Sequence, residues 1–202
     1  METPYETEVK FYAPDLAAIQ KRLEEAGAVC TAPRIFERNV RYENETHSLS
    51  DKGIVLRLRQ DSRVRLTYKE SGKVEDNITQ RPEWEVDVSD FDTMEAILGK
   101  LGFSSYLVYE KYRTTYELDG AEIVLDELPY GPFVEIEGDA DAIRRLIQTL
   151  ALETLTAQAG SYVGLFERVK RMLNLSFFNL TFKNFEGIQV PARVFTTNEE
   201  GA

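Results

Sequence analysis

The 202-residue chain has one cysteine, one histidine and one tryptophan. A lone cysteine, Cys30, cannot close an internal disulfide or build a cysteine-rich metal site, and we expect a buried, inert thiol in a reducing compartment. A lone histidine, His47, cannot supply a multi-histidine metal centre, and no serine lies in a Gly-x-Ser-x-Gly setting. Little is therefore present from which to build a histidine-based or serine-based active site.

Long apolar runs and excess basic charge are also missing. No 18-residue apolar run occurs, and the N-terminal stretch METPYETEVKF carries three glutamates where a secretion signal would be apolar. The chain has 24 Lys+Arg against 35 Asp+Glu, a net charge of −11 that repels phosphate backbones at long range. We therefore expect a cytoplasmic protein with no nucleic-acid partner and no membrane partner.

The composition is that of an ordinary globular protein, with 43% hydrophobic and 29% charged residues. We expect a single domain over residues 1–175 and a partly loose C-terminal extension over 176–202, in which periodicity is lost from Pro191. Residues 177–194 are apolar enough either to cover the domain or to pair with a second subunit. Both a monomer and a homodimer stay open.

Four segments have the apolar spacing of amphipathic helices. The first covers 16–26 and is ended by Gly27; the second is capped by Asp92 and ended by Gly102; the others cover 141–150 and 162–173. These helices are separated by segments that alternate between apolar and polar residues.

The alternating segments predict strands, mostly in antiparallel succession. They are 6–12, 38–43, 54–60, 63–70, 81–88, 109–118, 122–126 and 133–138, with a turn at Asp119-Gly120. The sequences Glu6-Thr7-Glu8-Val9 and Glu83-Trp84-Glu85-Val86 each begin a strand-helix unit, which suggests two similar halves. About eight strands with helices packed outside predict an α+β closed or nearly closed barrel.

Several predicted strands carry ionisable residues on one face and apolar residues on the other. Glu6, Glu8 and Lys10 share a face, whereas Val9 and Phe11 lie opposite. For a single strand, a solvent-facing side explains this pattern. Here the basic residues concentrate on some strands and paired carboxylates on others, and that segregation by sign indicates a wet, ion-lined interior that binds a ligand.

The residue types on that face indicate the ligand. Arginine and lysine side chains suit the oxygens of a phosphate chain. Carboxylates would repel such a chain unless Mg²⁺ or Mn²⁺, which prefer oxygen ligands, bridged them. The candidate phosphate contacts are Lys10, Arg57, Arg59, Lys69, Arg81, Lys111 and Arg113; the candidate carboxylates are Glu6, Glu8, Asp126, Glu135 and Glu137. No Walker A or Gly-x-Gly-x-x-Gly sequence occurs, so side chains must replace backbone amides in phosphate recognition.

In order along the chain, these residues resemble the CYTH superfamily of triphosphate tunnel metalloenzymes, which includes class IV adenylyl cyclases, thiamine triphosphatases and inorganic triphosphatases. The resemblance rests on Glu6-Thr7-Glu8-Val9-Lys10, Leu56-Arg57-Leu58-Arg59, Leu66-Thr67-Tyr68-Lys69, Arg81-Pro82-Glu83-Trp84-Glu85, Glu110-Lys111-Tyr112-Arg113, Leu125-Asp126, Phe133-Val134-Glu135-Ile136-Glu137-Gly138 and Ser161-Tyr162. These elements span residues 6 to 162 in the order the family has them.

The resemblance implies an eight-stranded antiparallel tunnel barrel that binds a linear triphosphate along its axis. It implies that the carboxylates named above hold the metal, that the basic residues named above grip phosphates, and that Glu6, Glu8, Lys10 and Lys69 belong to the catalytic centre. Glu83 and Glu85 are expected to orient basic side chains or to help place a second metal. Tyr42 and Tyr162 either line the mouth or pack.

Three functions fit these residues. The first is metal-dependent hydrolysis of inorganic tripolyphosphate or of a nucleoside or thiamine triphosphate, for which positioning and charge neutralisation matter more than a dedicated base. The second is class IV adenylyl cyclase chemistry, in which ATP gives cyclic AMP and pyrophosphate. The third is a module that binds polyphosphate or a nucleotide without turnover. We expect the hydrolase.

Overall fold

In a computed structural model, which describes residues 3–196, the chain forms one ten-stranded antiparallel sheet. Eight of these strands close into a ring in the order β1-β9-β8-β7-β2-β3-β4-β6, and pairing of β1 with β6 completes it. The predicted α+β fold, an eight-stranded closed antiparallel barrel with helices mostly outside, is confirmed.

The described residues contain ten strands, six α-helices and two 3₁₀-helices, Leu152–Thr154 and Lys183–Phe185. The strands are β1 (Tyr5–Tyr12), β2 (Val29–Asn44), β3 (Val55–Gln60), β4 (Val64–Lys69), β5 (Lys73–Glu75), β6 (Ile78–Val88), β7 (Phe103–Leu118), β8 (Ala121–Leu128), β9 (Gly131–Glu137) and β10 (Thr156–Ala157). The helices are α1 (Leu16–Glu25), α2 (Ser48–Asp51), α3 (Phe91–Lys100), α4 (Ala140–Thr149), α5 (Tyr162–Leu173) and α6 (Arg193–Thr196).

Short polar side chains fix where the longer helices begin. The Asp15 carboxylate accepts a hydrogen bond from the Ala18 amide at the start of α1, and Ser161 does the same for the Gly164 amide in α5. The prediction that Asp92 caps α3 is wrong, because Asp90 accepts from the Thr93 amide. Asp90 has the extended backbone (φ −150°) that a cap requires, whereas Asp92 lies in the first helical turn.

The barrel consists of two halves with the same order of elements. In the first half, β1, α1, β2, β3 and β4 follow one another, and in the second half β6, α3, β7, β8 and β9 do so. The halves meet where β1 pairs with β6 and with β9, where β2 pairs with β7, and where β4 pairs with β6, antiparallel in every case. The two-fold arrangement suggested by the repeated Glu-x-Glu-Val sequence therefore matches the topology.

Two apolar clusters lie on the outside of the barrel wall, beneath the helices. One contains Val9 and Ile136, which pack with Leu23 of α1 and Ile143 of α4. The other contains Val40 and Leu58, which pack with Phe91 and Leu98 of α3. Because strand residues alternate between faces, the side chains between these apolar positions point into the barrel.

A third cluster fills one end of the barrel. Tyr12 and Phe133 continue the inward-facing rows of Lys10 and Glu135, and Phe195 stacks on Tyr12 with ring centroids 4.7 Å apart. Residues 177–190 pack around the same cluster, so in this chain the apolar segment covers its own barrel. Tyr162, at the start of α5, is also part of this cluster.

Two expectations about single residues and the tail need correction. Cys30 is exposed, because it lies in the irregular first part of β2, where the pairing with β7 is interrupted by bulges. Residues 191–196, which were expected to lose regular structure, end in α6 with Val194 and Phe195 buried. The rest of that expectation falls on 197–202, outside the described residues.

Within residues 3–196, no helix has both the length and the apolar character needed to cross a membrane.

Candidate functional site

The barrel encloses a charged cavity of about 440 Å³. All of the site residues predicted from the sequence line it except Asp126, whose side chain is fully buried among Lys111, Arg113 and Tyr162. The lining cations are Lys10, Arg41, Arg57, Arg59, Arg63, Arg65, Lys69, Arg81, Lys111 and Arg113, and the lining carboxylates are Glu6, Glu8, Glu83, Glu85, Glu122, Glu135 and Glu137. The cavity is thus lined by more cations than carboxylates, although the whole chain is acidic.

One side of the cavity is formed by the basic hairpin, which we define as β3 and β4, residues 55–69. It contains five basic residues and one acidic residue. The strand register places Arg59 directly opposite Arg65, and Arg57 directly opposite Arg41 of β2. Like charges in facing positions destabilise a sheet. The Asp61 carboxylate offsets this for Arg59 and Arg65, whereas the Arg41–Arg57 pair favours an anion between its two members.

Four arginines, one on β2 and three on the basic hairpin, have a side-chain nitrogen that makes no hydrogen bond. The Nε atoms of Arg41, Arg57, Arg59 and Arg65 are buried and have no hydrogen-bond partner. Their other nitrogens are partly engaged: Arg57 donates to the Tyr109 hydroxyl at 3.1 Å and to the Thr67 hydroxyl at 3.1 Å. Buried donors without acceptors are costly, and phosphate oxygens are acceptors of the right kind.

The acidic hairpin, which we define as β8 and β9, residues 121–137, lies across the cavity. It contains five acidic residues and no basic residue. The register places Glu137 directly opposite both Glu122 and Glu8 of β1. Withdrawal from bulk water, together with the nearby carboxylates of Glu6, Glu122 and Glu83, raises the pKa of Glu137 to about 7.

Glu6 is held by two cations. Lys69 donates to it at 2.7 Å and Arg81 at 2.7 Å. Burial alone would raise the pKa of Glu6, but these two cations lower it to about 2. Lys69 also contacts Glu83 at 2.8 Å, so the carboxylates next to the basic hairpin are tied into ion pairs.

A buried network connects β7 to the acidic hairpin. Asp126 accepts hydrogen bonds from Lys111 at 2.9 Å, from Arg113 at 2.6 Å and from the Tyr162 hydroxyl at 2.8 Å. Arg113 also reaches Glu135 at 2.7 Å. Because three donors surround Asp126, its carboxylate positions two cavity cations and the first residue of α5.

Lys10 and Glu135 form the centre of the wall. Their side chains are 2.6 Å apart, and Lys10 lies 4.5 Å from the centre of the Tyr162 ring. Burial opposes ionisation of both groups, yet Glu135 holds the pKa of Lys10 above its usual value, while Lys10 and Arg113 hold that of Glu135 well below. Both groups are therefore charged, and they orient each other.

The structure also separates the two tyrosines considered in the sequence. Tyr162 lines the cavity, whereas Tyr42 is buried in the cluster beneath α3 and donates to Glu95 at 2.9 Å. Of the supporting glutamates, Glu83 binds Lys69, and Glu85 accepts from the Thr67 hydroxyl at 2.9 Å. Both glutamates contact cations of the basic hairpin, and their orienting role stays a prediction.

Sequence reasoning missed the inward face of β2. Glu37 is buried and lies 3.4 Å from Arg59 and 3.4 Å from Lys111, and these cations with Arg113 overcome its burial and hold its pKa well below its usual value. Arg41 lines the cavity from the same face. The alternation Glu37-x-Asn39-x-Arg41 was the available signal.

The carboxylates differ in their fitness as metal ligands. Their oxygen donors suit Mg²⁺ or Mn²⁺, but Glu6, Asp126 and Glu135 are already engaged by lysine and arginine. Glu8 contacts cations only at 3.6 Å and 3.9 Å, and Glu137 makes no ion pair with another described residue. Among residues 3–196, no three such side chains stand close enough together to form a ready coordination shell. The donor chemistry therefore fits a divalent cation best beside Glu8 and Glu137.

The fold and the cavity define a class: a closed antiparallel β-barrel whose interior is lined by cations on one side and by carboxylates on the other. The family model for the CYTH domain matches residues 4–163, and the chain belongs to the CYTH domain family. Proteins of this family generally depend on divalent metal. A comparison with curated proteins gives no match.

Several solved structures are similar in fold. A provisionally assigned adenylate cyclase from Vibrio parahaemolyticus is 19% identical, with a TM-score of 0.66 over 86% of this chain and 100% of that one. A protein from Pyrococcus horikoshii OT3 is 28% identical, with a TM-score of 0.65 over 80% and 98%. A provisionally assigned adenylyl cyclase from Hippeastrum, described as having a dominant triphosphatase activity, is 17% identical, with a TM-score of 0.62 over 80% and 95%.

Proposed function

We propose that this protein is a divalent-metal-dependent phosphohydrolase that acts on a linear triphosphate bound inside the barrel. The proposed substrates are inorganic tripolyphosphate, a nucleoside triphosphate or thiamine triphosphate. Membership of the CYTH family supports the proposal, as does the cavity, which is open enough for water and lined mostly by charged groups.

A single observation carries the proposal: like charges face like charges on both sides of the cavity. Arg57 of the basic hairpin opposes Arg41 of β2, and Glu137 opposes Glu122 on the acidic hairpin. Each row is unfavourable in the empty barrel and becomes favourable with a ligand of the opposite charge. A polyanion beside the arginines and a divalent cation beside the glutamates satisfy both rows together.

The phosphate contacts proposed are the cations predicted from the sequence. They are Lys10, Arg57, Arg59, Lys69, Arg81, Lys111 and Arg113, and all of them line the cavity. Arginine forks bind two phosphate oxygens at once, while lysines place a compact charge beside one. These groups hold the phosphate chain in line and neutralise the charge that develops on it, which is most of what phosphoryl transfer requires.

The residues proposed to hold the metal are Glu6, Glu8, Asp126, Glu135 and Glu137. Glu8 and Glu137 are the most available of these, and Glu122 lies in the same row. A divalent cation bound there would supply charge neutralisation and would lower the pKa of a water molecule. The catalytic centre proposed around it consists of Glu6, Glu8, Lys10 and Lys69, in which the ion pair of Glu6 with Lys69 fixes the orientation of both side chains.

The test is to incubate the purified protein with tripolyphosphate, ATP or thiamine triphosphate, each with Mg²⁺ or Mn²⁺, and to identify all products by ion chromatography. We expect orthophosphate together with pyrophosphate or the matching diphosphate. The Glu137→Gln variant, assayed in parallel, separates turnover in this cavity from a contaminating phosphatase.

Other products would overturn the hydrolase. Cyclic AMP and pyrophosphate from ATP would make the protein an adenylyl cyclase that uses the same barrel. Binding of a triphosphate without any product would make it a non-catalytic binding module.

A further inference from the structure

We propose that Arg41 is a further phosphate-binding residue of the cavity, acting together with Arg57. The inference rests on the proposed function and extends it to a residue outside the motif elements recognised in the sequence. Arg41 lies on β2, next to the basic hairpin, and its side chain lines the cavity.

Arg41 differs from the other lining cations in its partners. Each of the others has a carboxylate within 4 Å: for example, Arg57 reaches Glu85 at 3.6 Å and Arg63 reaches Asp87 at 3.4 Å. For Arg41, no carboxylate of residues 3–196 lies within that distance. Its guanidinium carbon lies 5.7 Å from the centre of the Tyr106 ring.

The surroundings of Arg41 are unfavourable without an anion. The register places it directly opposite Arg57, and its Nε is buried with no hydrogen-bond acceptor. The Nε of Arg57 is in the same state. Two facing guanidinium groups with unused donors suit a group that carries several anionic oxygens in a small volume, and a phosphate is such a group.

The cavity beside Arg41 has space for the anion, and neither Tyr109 nor Glu37 replaces it. Tyr109 lines the cavity beside Arg57, and its hydroxyl accepts a hydrogen bond from that arginine. Burial opposes ionisation of this hydroxyl, but Arg57 and Lys111 lower its pKa, which shows how strongly positive this part of the cavity is. Glu37 lies two residues before Arg41 on the same face but is already paired with Arg59 and Lys111.

The test is isothermal titration of the protein with sodium tripolyphosphate, with and without Mg²⁺, combined with thermal unfolding. For Arg41→Gln, we expect tripolyphosphate affinity to fall about tenfold, as for loss of a charged hydrogen bond. Without ligand, the same variant should unfold at an unchanged or higher temperature, because repulsion with Arg57 is removed. A merely structural arginine would instead lower the unfolding temperature.

Two further variants make the test specific. Arg38→Gln removes an arginine three residues earlier on the outer face of the same strand, where it is half-buried over the Phe91 ring, and should leave affinity unchanged. Arg41→Lys retains the charge but loses the fork, and should bind with intermediate affinity.

Wild-type affinity in Arg41→Gln, or an equal loss in Arg38→Gln, would overturn the role of Arg41 while leaving the proposed function intact. If the wild-type protein binds no tripolyphosphate, the proposed function itself is wrong and the role of Arg41 falls with it.

Discussion

The basic hairpin and the acidic hairpin occupy equivalent places in the two halves of the barrel but carry opposite charge. Each follows the long strand of its half, β2 or β7, and each contributes two adjacent strands to the ring. In that ring, two strands separate them on either side, so they face each other across the cavity. The same topology therefore presents cations to one side of a ligand and carboxylates to the other.

The two hairpins also differ in how their charges are compensated. The cations of the basic hairpin pair with Asp61 of the hairpin itself and with carboxylates of other strands, such as Glu6 and Glu37. On the acidic hairpin, Asp126 and Glu135 are paired, but Glu137 makes no ion pair with another described residue. Within residues 3–196, no ion pair joins the two hairpins directly. The gap between them is thus where a ligand can bridge the charges.

The largest effect is expected from a substitution on the acidic hairpin. Glu137→Gln removes one charge from the row formed by Glu8, Glu122 and Glu137, so metal-dependent turnover should fall at least about 100-fold. The free energy of unfolding should change little or rise, since the substitution relieves repulsion without touching an apolar cluster. Phosphate release and thermal unfolding measure the two effects. Unchanged turnover would contradict the assignment of Glu137 as a metal ligand.

Arg59→Ala tests the proposed phosphate contact on the basic hairpin. Arg59 faces Arg65 and contacts Glu37, so its loss removes a phosphate contact and leaves Glu37 less compensated. We expect triphosphate affinity to fall about tenfold to hundredfold, with a higher requirement for metal. Steady-state kinetics at several metal concentrations measures this. A variant with the wild-type KM and kcat would rule out a phosphate-gripping role.

Phe195→Ala tests how much the aromatic cluster at one end of the barrel contributes to stability. Phe195 is 1% exposed and stacks on Tyr12, so truncation should lower the free energy of unfolding by about 3 kcal/mol. Denaturant unfolding gives this value directly. A change well below about 1 kcal/mol would show that the C-terminal segment does not contribute to the stability of the barrel.

The smallest effect is expected from a substitution on the outer face of the acidic hairpin. Glu127 has the same charge as Glu137 but points outward, where it pairs with Arg34 at 2.6 Å with both side chains largely exposed. Glu127→Gln should therefore change the free energy of unfolding by no more than about 0.5 kcal/mol and leave turnover at the wild-type rate. If it impaired turnover as strongly as Glu137→Gln, net charge and not the cavity face would be responsible.

Regular alternation made most of the wall predictable from the sequence. The segments around Arg57, Lys69, Lys111 and Glu135 have an uninterrupted period of two, so the inward set could be read without coordinates. The beginning of β2 could not, because bulges between Cys30 and Ile35 and a proline at position 33 interrupt the period. The strand was consequently predicted to begin at Arg38, and the inward position of Glu37 was missed.

The sequence was sufficient to predict which residue types face inward, the sign of the charge on each hairpin and the family. Strand periodicity and the order of the motifs can be read along the chain without coordinates. The tertiary structure decided which charges compensate each other. Glu6 meets Lys69 only once β1 closes on β6, and Asp126 meets Tyr162 only once α5 reaches the end of the barrel. Ion pairing depends on distances of a few ångströms between strands far apart in the chain, and no local pattern encodes those distances.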